Sequence, residues 1–149
     1  MGLIALDRLR FISIELESRA TVNGCRELSV LELECSIEEC EPLRMPGVYR
    51  VHTICKDLSI AIELVEDVYK LPSSGKTLVY IGKDKDKCME KEFCGQAHVV
   101  SITSLSEDTK RAVLSIGGLL VVIKGPKEHE VFNKLEVVEK YYIGIKRIL

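Results

Sequence analysis

Tryptophan is missing from this chain, and three phenylalanines and five tyrosines are its only aromatic residues. A platform for single-stranded nucleic acid needs aromatics interleaved with Lys and Arg on a sheet face. Only Tyr49-Arg50 and the Tyr141–Arg147 stretch approach that pattern, and core positions suit these aromatics better. An excess of one charge is missing too: 21 Lys and Arg face 23 Asp and Glu, for a net charge of −2. That balance argues against a stand-alone nucleic-acid binder, whose affinity rests on many phosphate contacts. It leaves room for a minor role beside nucleic acid. No apolar run approaches the ~20 residues of a membrane span. The opening stretch, MGLIALDRLRFISIELES, is interrupted by Asp7, Arg8 and Arg10 and does not read as a secretory signal. Leu6 stands where N-myristoylation of Gly2 would need Ser or Thr. A soluble, cytoplasmic protein is expected.

Tight metal-ligand pairs are also lacking. Cys25, Cys35, Cys40, Cys55, Cys88 and Cys94 include no C-x2-C spacing, and His52, His98 and His129 are scattered. Structural zinc usually takes two tight pairs, so the cysteines read as small buried hydrophobes. Disulfides are not expected of a reducing cytosol, hyperthermophiles being the exception. His98 shares an apparent strand face with Val100 and Ile102, which suggests a hydrogen-bonded histidine near the core. Gly75-Lys76-Thr77 ends like a P-loop, but Lys70 stands where its first glycine belongs and a strand, not a helix, follows. Lys83–Lys87 alternates charge like the start of an EF-hand loop, yet the required glycine and closing glutamate fall on Met89 and Gly95. A solvated charged loop over Lys83–Glu92 is the plainer reading. No nucleophile elbow or activated Cys–His pattern follows from the spacing.

What the chain does have is β-signal. Its 149 residues fit one domain, able to bury roughly 70% of its unfolded surface without a metal or disulfide staple. Leu31, Leu33, Cys35 and Ile37 alternate with polar residues as a half-buried strand. Pro42 and Pro46-Gly47 mark a loop. Tyr49, Val51, Thr53 and Cys55 form one face of a second strand, and Ile60, Ile62 and Leu64 one face of a third, with a turn at Lys56-Asp57. Further strands are expected at Thr77–Ile81, Ala97–Thr103 and Tyr141–Ile148, and a short helix after Pro126. About eight short strands at intervals of roughly 8–12 residues favour a sandwich or closed barrel. Residues 1–28 stand apart. Phe11–Glu17 and Glu27–Ile37 form a hairpin about Asn23-Gly24, or the segment is a loosely attached extension; the residues leave both open.

The stretch Arg111–Gly125 organises the rest. Ala112–Ile116 and Leu119–Ile123 are joined by Gly117-Gly118, a hairpin signature, because the tight turn needs positive φ. On the second strand Leu119, Val121 and Ile123 face one way, Leu120 and Val122 the other. Five successive aliphatic residues imply that both faces are covered, and residues 1–28 folding back over Leu119–Ile123 are one candidate cover.

These residues, with Glu92-Phe93-Cys94-Gly95 leading into Val99-Val100, and with Tyr141–Ile148, resemble the archaeal DNA-directed RNA polymerase subunit 8 family, also known as the G subunit. The Leu114-Ser115…Gly118-Leu119-Leu120 core is the most specific part, and Tyr49–Leu64 fits in order and spacing. The resemblance spans about residues 29–149. It implies an all-β, eight-stranded antiparallel barrel on an OB-like Greek key, with residues 1–28 as an N-terminal extension. It implies an accessory subunit without an active site or cofactor of its own, docked on the largest subunit of RNA polymerase and touching DNA or RNA only indirectly. On that basis Phe93, Cys94, Gly95, Gly117, Gly118, Leu119 and Leu120 are the expected interface residues. Each buried leucine would contribute roughly 2 kcal/mol. Two other classes compete: an OB-type single-stranded nucleic-acid-binding module, and an enzyme using a reactive Cys88 or Cys94.

Overall fold

In the computed structural model, which describes residues 29–148, eight antiparallel strands close into a barrel. They are β1 (Ser29–Pro42), β2 (Val48–Cys55), β3 (Leu58–Val65), β4 (Gly75–Gly82), β5 (Phe93–Ser104), β6 (Thr109–Ile116), β7 (Leu119–Pro126) and β8 (Lys140–Ile148). Two short helices accompany them, α1 (Lys85–Met89) between β4 and β5, and α2 (Val131–Lys134) between β7 and β8. Round the barrel the order is β1-β2-β3-β7-β6-β5-β8-β4. Its first half reads 4-1-2-3, a Greek key, and its second half 8-5-6-7, the same key again. The expectation of an all-β, eight-stranded barrel is met. The doubling was invisible in the sequence, which shows no internal repeat.

The two long strands make closure possible. The first nine residues of β1, Ser29–Ile37, pair with β4, and its far end, Ser36–Pro42, pairs with β2. Likewise β5 pairs with β8 through Phe93–His98 and with β6 through His98–Ser104. Each carries an irregularity in register near the change of partner, between Ile37 and Glu39 in β1 and between Val99 and Ser101 in β5. An extra residue bends a strand and raises its twist, which is how a sheet turns a corner. The first bulge extends β1 beyond the expected end at Ile37, through to Pro42. The second corrects the expectation for His98. Ala97 and Val99 are buried, His98 and Val100 are exposed, and the alternation shifts so that Ile102 packs against the core.

Elsewhere alternation places the core as expected. Val51 and Cys55 on β2, Ile60 and Ile62 on β3, and Val121 and Ile123 on β7 are fully buried. Buried hydroxyls find partners: Thr53 donates to the Ile60 carbonyl at 2.8 Å and Thr77 to that of Lys146 at 2.9 Å. Val131, Phe132 and Leu135 bring α2 and its C-terminal end into the same core.

The charged segment after β4 is not a solvated loop. Asp84 caps α1, its carboxylate accepting from the Lys87 N–H at 3.2 Å. Lys87 and Lys91 meet Glu32 on β1 at 2.9 and 3.2 Å and lie over the Tyr80 ring. Tyr80 is thereby fully buried on the outer side of β4, opposite Gly144 on β8.

Four cysteines also depart from expectation, since Cys35 bonds to Cys55 and Cys88 to Cys94. The first bridge spans the β1–β2 pairing inside the barrel, where alternation and register set two inward cysteines opposite each other. The second ties α1 to β5. Cys25 lies outside the described residues. With its ends 20 positions apart, the Cys35–Cys55 bridge should restrict the unfolded chain substantially. The C35A/C55A double variant is expected to lose about 2–4 kcal/mol of unfolding free energy. Urea denaturation under oxidising conditions checks this; an unchanged midpoint and slope would refute it.

Candidate functional site

One end of the barrel gathers most of the residues singled out above. At the β6–β7 turn, Gly117 and Gly118 have φ of 57° and 106°, values a side chain would strain, and the Gly118 N–H donates to Ser115 Oγ at 3.0 Å. Nothing lies within 4 Å of where a Cβ would stand on either glycine, so conformation rather than crowding calls for glycine there. Gly95 is the reverse case. A Cβ on it would stand 3.0 Å from the Ile116 side chain and 3.2 Å from the Phe93 ring. The two motifs therefore meet, through Ile116 at the foot of the turn.

The side chains divide by face. Phe93 and Gly95 lie opposite the inward Ile145 and Ile143 of β8, and Leu119 shares the inward face of Val121. Cys94 lies on the opposite face of β5 and is bonded to Cys88. Leu120 alone among the seven presents a large side chain outward, 37% exposed. Beside it on the outer face lies a row of small aliphatics, Ala61 on β3, Val122 on β7 and Val113 on β6, cross-strand neighbours and half-buried. The expectation that both faces of Leu119–Ile123 are covered therefore holds for the inner face. Among the described residues the outer face stays partly open.

Two polar networks brace this end, and neither was read from the sequence. The β3–β7 ladder stops at Ile62 opposite Val121, and the Glu63 side chain takes over. Its Oε1 accepts from the Leu120 N–H at 2.9 Å and its Oε2 from Arg50 at 2.6 Å. Arg50 also approaches Glu41 at 3.7 Å, whose carboxylate pairs with His52 at 3.0 Å. In the second network Tyr69 stacks on Phe93, ring centres 5.9 Å apart, and donates to Glu92 at 2.6 Å. The backbone N–H and Nε of Arg147 reach the same oxygen at 3.1 and 3.2 Å. The Tyr69 hydrogen bond and the two from Arg147 hold the Glu92 carboxyl down to about 2. Burial, and then Glu92, push the Tyr69 phenol well above its ordinary range.

The cysteine reading loses its nucleophiles, because Cys88 and Cys94 are bonded to each other. Cys40 is the free cysteine among the described residues; burial raises its pKa, the wrong direction for a reactive thiolate. Among the described residues no group of three or more His, Cys, Asp and Glu is placed to hold a metal ion, and no helix is long and apolar enough to cross a membrane. Tyr49, Tyr80, Tyr141 and Phe132 are buried, which removes them from any base-stacking surface.

Residues 30–148 match the family of the G subunit (RpbG) of DNA-directed RNA polymerase. The chain is similar to DNA-directed RNA polymerase subunit Rpo8 of Saccharolobus shibatae, 24% identical over 122 residues, spanning 77% of this chain and 92% of the relative. It is 23% identical over 120 residues to the subunit of the same name from Saccharolobus solfataricus, spanning 77% and 91%. A solved structure of the molybdate-binding protein ModG covers 78% of this chain and 89% of its own, at 11% identity and a TM-score of 0.33, too low to carry fold or function across.

Because Glu92 titrates lower when folded than its ordinary 4.5, its contribution to stability is full above that value and disappears as pH falls toward about 2. Glu92→Gln is expected to flatten, not abolish, the acid-induced loss of stability between about pH 4.5 and 2, since Glu32, Glu41 and Glu139 are lowered too. Thermal melts across that range check it. Identical pH profiles would show that the network does not favour ionised Glu92.

Proposed function

The chain belongs to the RpbG family, the G subunit of DNA-directed RNA polymerase, and from this premise we propose that it is a non-catalytic subunit of an archaeal polymerase that docks on the largest subunit and supports its assembly. The observation that carries this reading is the outer face of β3, β7 and β6. Leu120, Val122, Val113 and Ala61 form a continuous apolar strip on a closed barrel, half-open to water. Strips of this kind, rimmed by polar groups, mark protein contacts. The rim here is the Glu63–Arg50–Glu41 network on one side.

The barrel suits support better than chemistry. Its strand pairing closes round all eight strands, and one disulfide spans two neighbouring strands inside it. Such a frame presents a contact surface with little ordering left to do on binding, so more of the contact energy appears as affinity. Gly117-Gly118 holds the hairpin tip in a defined shape, Gly95 lets Ile116 settle against β5, and Phe93, stacked on Tyr69, fixes that end of the barrel. In this reading Leu120 touches the partner, Phe93, Gly95 and Leu119 shape the surface from behind, and Cys94 ties α1 to β5.

Replacing Leu120 by Asp puts an uncompensated charge into the strip, and pull-down of the largest subunit is expected to weaken at least about tenfold. Leu120→Ala should cost less, because it removes apolar area without adding charge. Circular dichroism would establish that both variants fold. Folded Leu120→Asp protein that captures the largest subunit at wild-type affinity would remove this strip from the interface.

A further inference from the structure

The outer face carries a second feature immediately next to the apolar strip. Arg111 on β6 and Lys124 on β7 are direct cross-strand partners, both pointing outward. Like charges set opposite each other in a sheet repel. No ion pair among the described residues involves either of them. The Nε of Arg111 is enclosed and has no hydrogen-bond partner. The row continues through hydroxyls, Ser59 beside Lys124 on β3 and Thr103 beside Arg111 on β5. Beyond Lys124 the surface opens into a cavity of about 530 Å³ lined by Ile54, Ser59, Thr109, Lys124 and Pro126, with Asp57 and Asp108 also at its wall.

We propose that this face takes an extended acidic segment of a neighbouring polymerase subunit, one carboxylate bridging Arg111 and Lys124 and an aliphatic side chain two residues away lying on Val113 and Val122. The inference rests on the subunit reading above and specifies the partner's chemistry. Arg111 and Val113, like Lys124 and Val122, are two residues apart, so successive rows repeat at roughly 7 Å along the strands. An extended segment running alongside presents same-face residues at that spacing. A guanidinium and an ammonium side by side offer a carboxylate charge-assisted hydrogen bonds, and the guanidinium brings the planar fork that carboxylates fit. Charge complementarity and the adjoining apolar row together select the occupant. A nucleic-acid backbone would use the cations but leave the Val113–Val122 row unmatched, and no aromatic residue stands in either row for a base to stack on.

The test measures binding of the full chain to polymerase assembled from the other subunits, at two salt concentrations. R111E/K124E, the milder R111Q/K124Q and the control K146E on β8 are compared with wild type, and thermal melts establish that each folds. The expected result is at least about a tenfold loss for R111E/K124E, a smaller loss and weaker salt dependence for R111Q/K124Q, and wild-type behaviour for K146E. If wild type binds and both double variants bind equally well, the acidic-segment inference is wrong and the subunit reading stands. If wild type does not bind, both fall. A parallel titration with single-stranded oligothymidylate completes the test: tight binding that R111E/K124E abolishes would make the row a phosphate contact and overturn the inference.

Discussion

The barrel depends on two bent strands. Eight strands close only if the sheet turns sharply enough, and β1 and β5 supply the corners. Each is long enough to serve two neighbours, β4 then β2 for one, β8 then β6 for the other. Each has a bulge close to where it changes partner. Remove either bend and its strand would remain paired on one side only, leaving exposed edges of the kind that invite aggregation. The two Greek-key halves then join through two seams, β4 with β8 and β3 with β7.

These seams are not finished alike. The β4–β8 seam runs from Lys76 opposite Ile148 to Gly82 opposite Tyr142, and its outer side is roofed by α1. There an outward Tyr80 is fully buried, with Lys87 and Lys91 over its ring and Glu32 holding both lysines. The β3–β7 seam holds only from Ser59 to Ile62 and is completed by the Glu63 carboxylate bonding the Leu120 N–H. No helix among the described residues roofs it, so Ala61, Val122 and Leu120 keep part of their surface in water. The same sheet thus has one outer side covered from within the described chain and one left open.

What the sequence made legible was whatever alternation and turn chemistry determine locally. Tyr49 to Cys55 and Ile60 to Leu64 fell on the expected faces, because the hairpin around Lys56-Asp57 pins their register. The bulges broke that logic: a single extra residue sent His98 outward and carried β1 on to Pro42. The alternating lysines and aspartates after β4 looked solvated because their partners, Glu32 and Tyr80, are distant or not acidic. Cysteine spacing and compartment carry no sign of the disulfides, whereas β1–β2 register brings Cys35 to Cys55. Of the site, the two motifs were visible and their meeting through Ile116 was not. Glu63, Tyr69, Glu92 and Arg147 act through contacts 13 to 57 residues apart, beyond any local pattern. The fate of Phe11–Glu17 lies outside the described residues.

A nearly neutral net charge conceals how unevenly charge is used. Several charged groups are held in specific pairs: Glu32 with two lysines, Glu63 with Arg50, Glu92 with Arg147, Glu139 with Lys83. Buried hydroxyls are likewise satisfied at Thr53 and Thr77. Against this background Arg111 is anomalous, since its Nε is the buried side-chain nitrogen or oxygen left without a partner among the described residues. Folded proteins rarely leave such a group unpaired, because losing water without gaining a bond costs on the order of 1–3 kcal/mol. It stands beside an unpaired lysine, on the open seam, next to the apolar strip. An apolar row left partly open and two cross-strand cations without an ion pair among the described residues therefore coincide on the β6–β7 hairpin, and a single acidic, aliphatic-bearing segment would meet both.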